Sequence, residues 1–297
     1  MKVLECVPNI SEGRDPKRLR EILACLDRFV AVKCLNVSSD ADHNRSVITL
    51  LGPPEEISAA MFALALSAIE RIDMRSHRGS HPRMGAVDVV PFVPIREMEM
   101  AEAVEIAHAF GKRLGEAAGI PIYFYEEAAL REERRNLANV RKGQYEGLAE
   151  KLRRPEGQPD AGPRVFNPKS GATIVGARFP LIAFNVNLNT REKAIADAIA
   201  RAVRFKTGGF KAVKAMGVAL KEKQRVQVSM NLVNFRETPI HRVVETIRFE
   251  AARYGVSIEA CELIGLAPLA ALEEVIRFYL QIPEFSVDQI IETHLLS

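Results

Sequence analysis

Between positions 75 and 85 the chain runs Arg-Ser-His-Arg-Gly-Ser-His-Pro-Arg-Met-Gly. Two of its six histidines, His77 and His81, and three arginines, Arg75, Arg78 and Arg83, fall within these eleven positions. No other stretch is as rich in groups that hold or move charge. A histidine near neutral pH can take a proton and return it, and arginines pair with carboxylates or phosphates through parallel hydrogen bonds. The combination suits a small anionic substrate whose reaction needs proton shuttling. His77 and His81 also have the i, i+4 spacing of zinc-binding helices. Gly79, Pro82 and Gly85 interrupt any such helix, however, and no third ligand stands nearby, so no metal site is expected. No Ser or Cys occupies a nucleophile elbow of the G-x-S-x-G type. The plain alternative is a basic surface loop with idle histidines.

Two further segments carry polar groups. Asp40-Ala41-Asp42-His43-Asn44-Arg45 leads into a strand, where Asp40 or Asp42 either supports a histidine and its protonated form or simply bonds turn backbone. Pro159-Asp160-Ala161-Gly162-Pro163, followed by Gly171-Ala172-Thr173, is a loop of turn residues. Its backbone amides can meet a flat ligand or an anion, or it is only a linker.

The elements that must position these groups follow from periodicity. Residues 3–10 read as a strand, and Leu19, Ile22, Leu23, Leu26 and Phe29 recur at helical spacing behind Asp15 and Pro16 as cap and first turn. Strands over 30–37 and 45–51, a helix over 54–72 and a strand over 87–93 complete the order βαββαβ. A helix over 100–118, a strand over 120–125, a charged helical stretch and the Pro/Gly-rich loop 155–171 come next. The second half repeats the order: strand 172–188, helix 191–204, strands 213–220 and 226–233, helix 239–254 and strand 256–266. Each βαββαβ unit folds as a four-stranded antiparallel sheet with both helices on one face, a ferredoxin-like arrangement. The fold class is therefore α/β (α+β), with subdomains expected at 1–165, carrying the histidine segment, and 166–297.

Strand alternation then puts Ile182, Phe184, Val186 and Leu188 under the helices, with Asn185 and Asn187 opposite. Likewise Val226, Val228, Met230 and Leu232 oppose Gln227, Ser229 and Asn231, and Glu5 and Asn9 share one face of the first strand. Short neutral amides are unusual for a merely solvated face. They suggest that the two helix-free faces look toward each other across a polar ligand tunnel, helices outside, although one solvated side of an antiparallel sheet is the simpler alternative.

With 297 residues, 47% hydrophobic and 27% charged, the chain has the composition of a soluble globular protein with room for two cores. Forty-one basic against 38 acidic residues give a net charge of +3, too small for bulk attraction to nucleic acid or a membrane surface. The four cysteines show neither zinc nor C-x-x-C spacing, which reads as a reduced compartment. No apolar run resembles a signal peptide or reaches the ~20 residues of a membrane span, so a cytoplasmic location is expected.

Taken together, several segments resemble the glutamate formiminotransferase family, the folate-dependent transferases that also form the N-terminal part of formiminotransferase-cyclodeaminase. The resemblance covers nearly the whole chain. It rests on Glu5-Cys6-Val7-Pro8-Asn9, Asp42-His43-Asn44-Arg45-Ser46-Val47, His81-Pro82-Arg83-Met84-Gly85-Ala86-Val87-Asp88, Arg141-Lys142-Gly143-Gln144-Tyr145-Glu146, Asn185-Val186-Asn187-Leu188, Gln227-Val228-Ser229-Met230-Asn231 and Glu262-Leu263-Ile264-Gly265-Leu266. It implies transfer of a formimidoyl group from N-formimidoyl-L-glutamate to tetrahydrofolate as cosubstrate, with His81 as acid/base and Asp40 or Asp42 in support. Arg45, Arg75, His77, Arg78, Arg83, Glu5 and Asn9 are the expected substrate-binding residues. The loop Gly162-Pro163-Arg164-Val165-Phe166-Asn167-Pro168-Lys169-Ser170-Gly171, with Asn185, Asn187, Gln227 and Asn231, is expected to meet folate. None of the chemical steps calls for a metal. The resemblance further implies a homodimer, a role in histidine degradation and a separate cyclodeaminase for the next step. Two rival readings are a folate transferase with a formyl donor, formylglutamate or 5-formyltetrahydrofolate, and an RNA-binding module. Only 6% of residues are aromatic, and Asn, Gln and Ser on the open face offer little for stacking bases.

Overall fold

In the computed structural model, which describes residues 1–220 and 222–295, the first apolar run divides at Pro8, which has no backbone N–H to donate to a ladder. It forms β1 (Val3–Cys6) and β2 (Asn9–Ile10). Asp15 then caps α1 (Pro16–Leu23), its side chain accepting from the Lys17 and Arg18 amides, with Pro16 in the first turn where a missing N–H is harmless. β3 (Lys33–Asp40), β4 (Arg45–Gly52), α2 (Pro54–Arg71) and β5 (Val87–Arg96) complete βαββαβ. β3 pairs with β4, and β4 and β5 flank the split first strand, all antiparallel.

The chain continues through α3 (Met100–Ala118), opened by a Glu99/Glu102 capping box and ended at Gly119 in the left-handed region, to β6 (Ile122–Glu126). Short helices α4 (Leu137–Val140) and α5 (Leu148–Lys151) follow. β7 (Thr173–Ala177) then inserts between β5 and β6, parallel to both. The run 172–188, expected as one strand, is thus two strands that serve different sheets. Pro180, with fixed φ and no N–H, lies in the break. The chain divides into compact units at Met1–Arg178 and Phe179–Ser297, not at 165, so the loop 162–171 lies wholly in the first unit.

On one face of the first sheet Leu4, Cys6, Ile10, Ile48, Leu50, Val90 and Phe92 meet Met61 and Leu64 of α2 and Phe110 and Leu114 of α3. Each such side chain, fully buried, contributes about 1.5–3 kcal/mol. Part of the opposite face, expected to be open, is covered. Val89, Tyr123, Tyr125 and Ile174 pack against Val140, Leu148 and Leu152, because those strand residues are apolar or aromatic and gain by leaving water. Glu5 and Asn9 alternate with Leu4, Cys6 and Ile10 and so fall on this second face.

The second unit is built from β8 (Ile182–Leu188), α6 (Lys193–Val203), β9 (Val213–Leu220), β10 (Arg225–Leu232), α7 (Ile240–Ala252) and β11 (Ile258–Ile264), followed by α8 (Leu269–Leu280). Its sheet order, β11-β8-β10-β9, is antiparallel throughout. Ile182, Val186, Leu188, Val226, Val228, Met230 and Leu232 form the core with Ile195, Ile199, Val243 and Ile247 of the helices, and Phe184 packs on it part-buried. Asn185, Asn187, Gln227 and Asn231 therefore occupy the helix-free face, as alternation required. Among the described residues no helix is long and apolar enough to cross a membrane.

Candidate active site

The segment 75–85 is a loop between α2 and β5, held at several points by backbone. Ser80 N–H donates to the Asp42 carbonyl at 3.0 Å and Met74 N–H to the Lys169 carbonyl at 2.8 Å. Gly85 bridges Gly171, and both must be glycine. A Cβ on Gly85 would stand 2.4 Å from the Ala172 carbonyl, and one on Gly171, at φ +71°, 2.2 Å from that of Met84. The loop 162–171 is thereby pressed against the histidine segment. Asn167 Oδ1 accepts from Lys169 and Ser170 N–H, Tyr145 Oη donates to the Pro168 carbonyl at 2.5 Å, and the Tyr145 and Phe166 rings meet at 5.5 Å. Gly162 also has positive φ, while Arg164, Val165, Pro168 and Lys169 face outward and Pro163 and Phe166 are half-buried.

A small cleft in the first unit is lined by Ser11, His43, Asn44, Arg45, His77, His81, Arg83 and Asp88. At its centre Arg45 Nη1 lies 2.5 Å from His81 Nε2. Arginine has no acceptor, so Nε2 accepts and the ring is neutral with its proton on Nδ1. Burial, then the charges of Arg45, Arg141 and His43, pull the His81 pKa down to about 3. Asp88, fully enclosed, accepts from Met84 N–H at 2.8 Å and from Arg141 Nη2 at 2.5 Å. Burial raises its pKa, against the pull of Arg141. Burial and the charge of Arg141 lower that of Arg45. Arg45 Nε, Arg141 Nε and His81 Nδ1 are buried with no well-formed hydrogen bond, and the Pro82 backbone exerts only the smallest of the influences acting on the His81 ring. Unsatisfied buried donors cost about 1–3 kcal/mol each, so one on the imidazole and one on each of two arginines are hydrogen-bonding capacity that the protein itself leaves unused.

The other sequence candidates divide. His77 is buried and braced: its Nε2 donates to the Asn44 carbonyl at 2.9 Å and its Nδ1 accepts from Arg83 Nε at 3.2 Å, and burial depresses its pKa. Arg83 lines the cleft, but its fork is engaged by Glu146 at 2.7 and 2.8 Å. Arg75 pairs with Asp73 on the surface, and Arg78 donates to the His77 carbonyl at 2.8 Å. Neither lines the cleft. Asp40 supports a histidine, but it is His43, through Nδ1 at 2.9 Å, and the His43 ring in turn stands edge-on to His81 at 5.8 Å. Asp42 contributes its carbonyl to the Ser80 turn. Burial raises the pKa of Glu5, opposed by the charge of Arg178, and Asn9 donates to the Val7 carbonyl.

In the second unit Asn187 Nδ2 donates to Glu262 at 2.9 Å, and Gln227 Nε2 donates to Asn187 Oδ1 at 2.8 Å and to Glu262 at 3.1 Å. Asn185 also bonds the Glu262 carboxylate, whose pKa is lowered by the hydrogen bonds of Asn187, Lys223 and Asn185. Asn231, on the same face, is exposed.

Residues 3–178 match the formiminotransferase domain, N-terminal subdomain, and residues 183–295 match the formiminotransferase domain. The chain belongs to the formiminotransferase family. It is 49% identical over 296 residues, 99% of both chains, to a glutamate formimidoyltransferase of Streptococcus pyogenes serotype M1. It is 48% identical to a protein of the same name from Thermoplasma acidophilum, covering 98% of this chain and 97% of that one. A formimidoyltransferase-cyclodeaminase of Gallus gallus is 41% identical over 94% of this chain and 53% of its own length. The two formiminotransferase subdomain matches meet where the two compact units divide. Sequence reasoning about this formiminotransferase passed over His43, Asp88, Arg141, Glu146 and Glu262. All five lie in segments that carry the family resemblance, so the signal for them was present but not tied to a partner.

Proposed function

We propose that this chain is a glutamate formimidoyltransferase, moving the formimidoyl group of N-formimidoyl-L-glutamate to N5 of tetrahydrofolate and releasing L-glutamate. The observation that carries this reading is the near-complete, 49% identical match to a protein of that name. The site agrees with it: a neutral imidazole stands among guanidinium groups, as transfer from a dicarboxylate donor between two amines requires.

In this mechanism N5 attacks the formimidoyl carbon, giving a tetrahedral carbon that bears three nitrogens. His81, unprotonated in the resting protein, takes the proton that N5 sheds once its lone pair is free and delivers it to the glutamate nitrogen as that C–N bond breaks. Arg45 is the nearest cation for a donor carboxylate, and holding it makes the encounter effectively intramolecular. The loop 162–171 and the amide face of Asn185, Asn187, Gln227 and Asn231 are our candidates for folate contact, with Glu262 fixing the amide orientations. Steady-state rates with formimidoylglutamate and with formylglutamate, each with tetrahydrofolate, test the proposal. Formation of 5-formimidoyltetrahydrofolate is expected, and turnover of the formyl donor alone would reassign the substrate.

A further inference from the structure

Arg141 is the one guanidinium beside His81 that the chemistry above leaves without a task. It follows α4, stands behind the cleft outside the histidine segment, and is anchored at 2.5 Å by the buried carboxylate of Asp88, which does line the cleft. That contact uses Nη2 only, and its Nε is buried without an acceptor. The groups bearing on His81 are Arg45 on β4, Arg141, and His43 in the β3–β4 turn; the carboxylates facing them are Asp88 on β5 and Asp40, the partner of His43. Asp40 is exposed and paired with His43, and its charge acts on Arg45 less than that of Asp88 does. One buried carboxylate is thus left to serve two arginines, with two guanidinium N–H donors unused.

We propose that Arg141, braced by Asp88, binds one carboxylate of the formimidoyl donor beside His81 and shares it with Arg45, drawing the Arg45 donor away from His81 Nε2. The inference rests on the donor being a glutamate derivative. It also gives His81 its basicity at the right moment. In the resting protein the Nε2 lone pair is occupied by Arg45, and two cations oppose a proton on the ring. An anion between those cations frees the lone pair and favours protonation. Donor binding itself would then switch the imidazole from a weak base to one matched to N5.

The test compares formimidoyl-glutamate with the formimidoyl derivatives of its α-amide and γ-amide in the parent, Arg141→Gln and Arg141→Lys. The lysine variant keeps a charge against Asp88 should the glutamine variant fail to fold. In the parent, kcat/KM should fall at least about 10-fold for one of the two amides. In either folded variant that preference should shrink to about 2-fold, with KM for tetrahydrofolate unchanged. Saturating glutamate should also raise the His81 titration midpoint, followed by NMR, by about one unit or more in the parent and not in the variants. A variant that loses the same factor with all three donors would reduce Arg141 to a structural brace and overturn the inference. A parent that turns over none of the donors would instead remove the activity itself, and with it this extension.

Discussion

Arg45→Met removes both the 2.5 Å hydrogen bond to His81 Nε2 and the largest charge effect on a ring whose pKa is pulled to about 3. Unit charges 4 Å apart interact by about 4 kcal/mol at an effective dielectric of ~20, equivalent to about 3 pKa units. Both side chains are only half-buried, so solvent screens much of that, leaving roughly 1–2 units. The His81 pKa should therefore rise to about 4–5 and stop short of the usual ~6.5, because burial, Arg141 and His43 remain. The ring Cε1–H shift followed from pH 3 to 8, assigned with His81→Gln, measures this in parent and variant. The linkage has a definite sign. With the folded pKa below the unfolded ~6.5, stability associated with His81 is fully present above that pH and is lost as pH falls toward about 3. Arg45→Met should make this acid loss shallower. A His81 that titrates near 6.5 in the parent, or a midpoint unmoved by the substitution, would refute the electrostatic reasoning.

His81→Ala should lower kcat at least about 100-fold while tetrahydrofolate affinity by calorimetry stays within about twofold; equal turnover would remove the histidine from its role. Phe184→Ala, at a part-buried position on the second core, should cost about 2–3 kcal/mol in urea unfolding, below the ~3–5 of a fully buried ring. Asn187→Ala deletes hydrogen bonds with Glu262 and Gln227, yet Gln227 keeps Glu262, so about 1–2 kcal/mol is expected together with weakened tetrahydrofolate binding. If the asparagine change left folate binding intact, the amide face would lose its proposed ligand. Gly171→Ala, at φ +71°, should destabilise the first unit by about 1–3 kcal/mol and impair folate affinity, whereas a neutral result in both assays would show that the loop yields easily.

Local patterns carried much of this fold into the sequence. Asp15 and Pro16 announce a helix start, and alternation around Asn185–Leu188 and Val226–Leu232 separates core from open face because the side-chain period of a strand is two. His81 is legible because Gly79 and Pro82 make a loop around it. Partnerships between distant residues were not legible. Arg83 meets Glu146 and Arg141 meets Asp88 across more than fifty residues, so arginines that look available in the linear string are committed in space. Asp40 is the local exception, committed to His43 only three residues away. The cover over Tyr123 and Tyr125 was not expected, because the charged stretch that supplies it brings Val140, Leu148 and Leu152, with Leu137 beside them, at no regular spacing.

The insertion of β7 between β5 and β6 has a consequence for how the polypeptide is made. β6 emerges from the ribosome some fifty residues before β7 (Thr173–Ala177), the only described strand that joins it to the sheet. Until then its ladder groups have no partner on that edge, leaving an adhesive strand available to chaperones or to other nascent chains. A truncation at residue 165 would hold the protein in that state permanently, while one at 178 would let the sheet close.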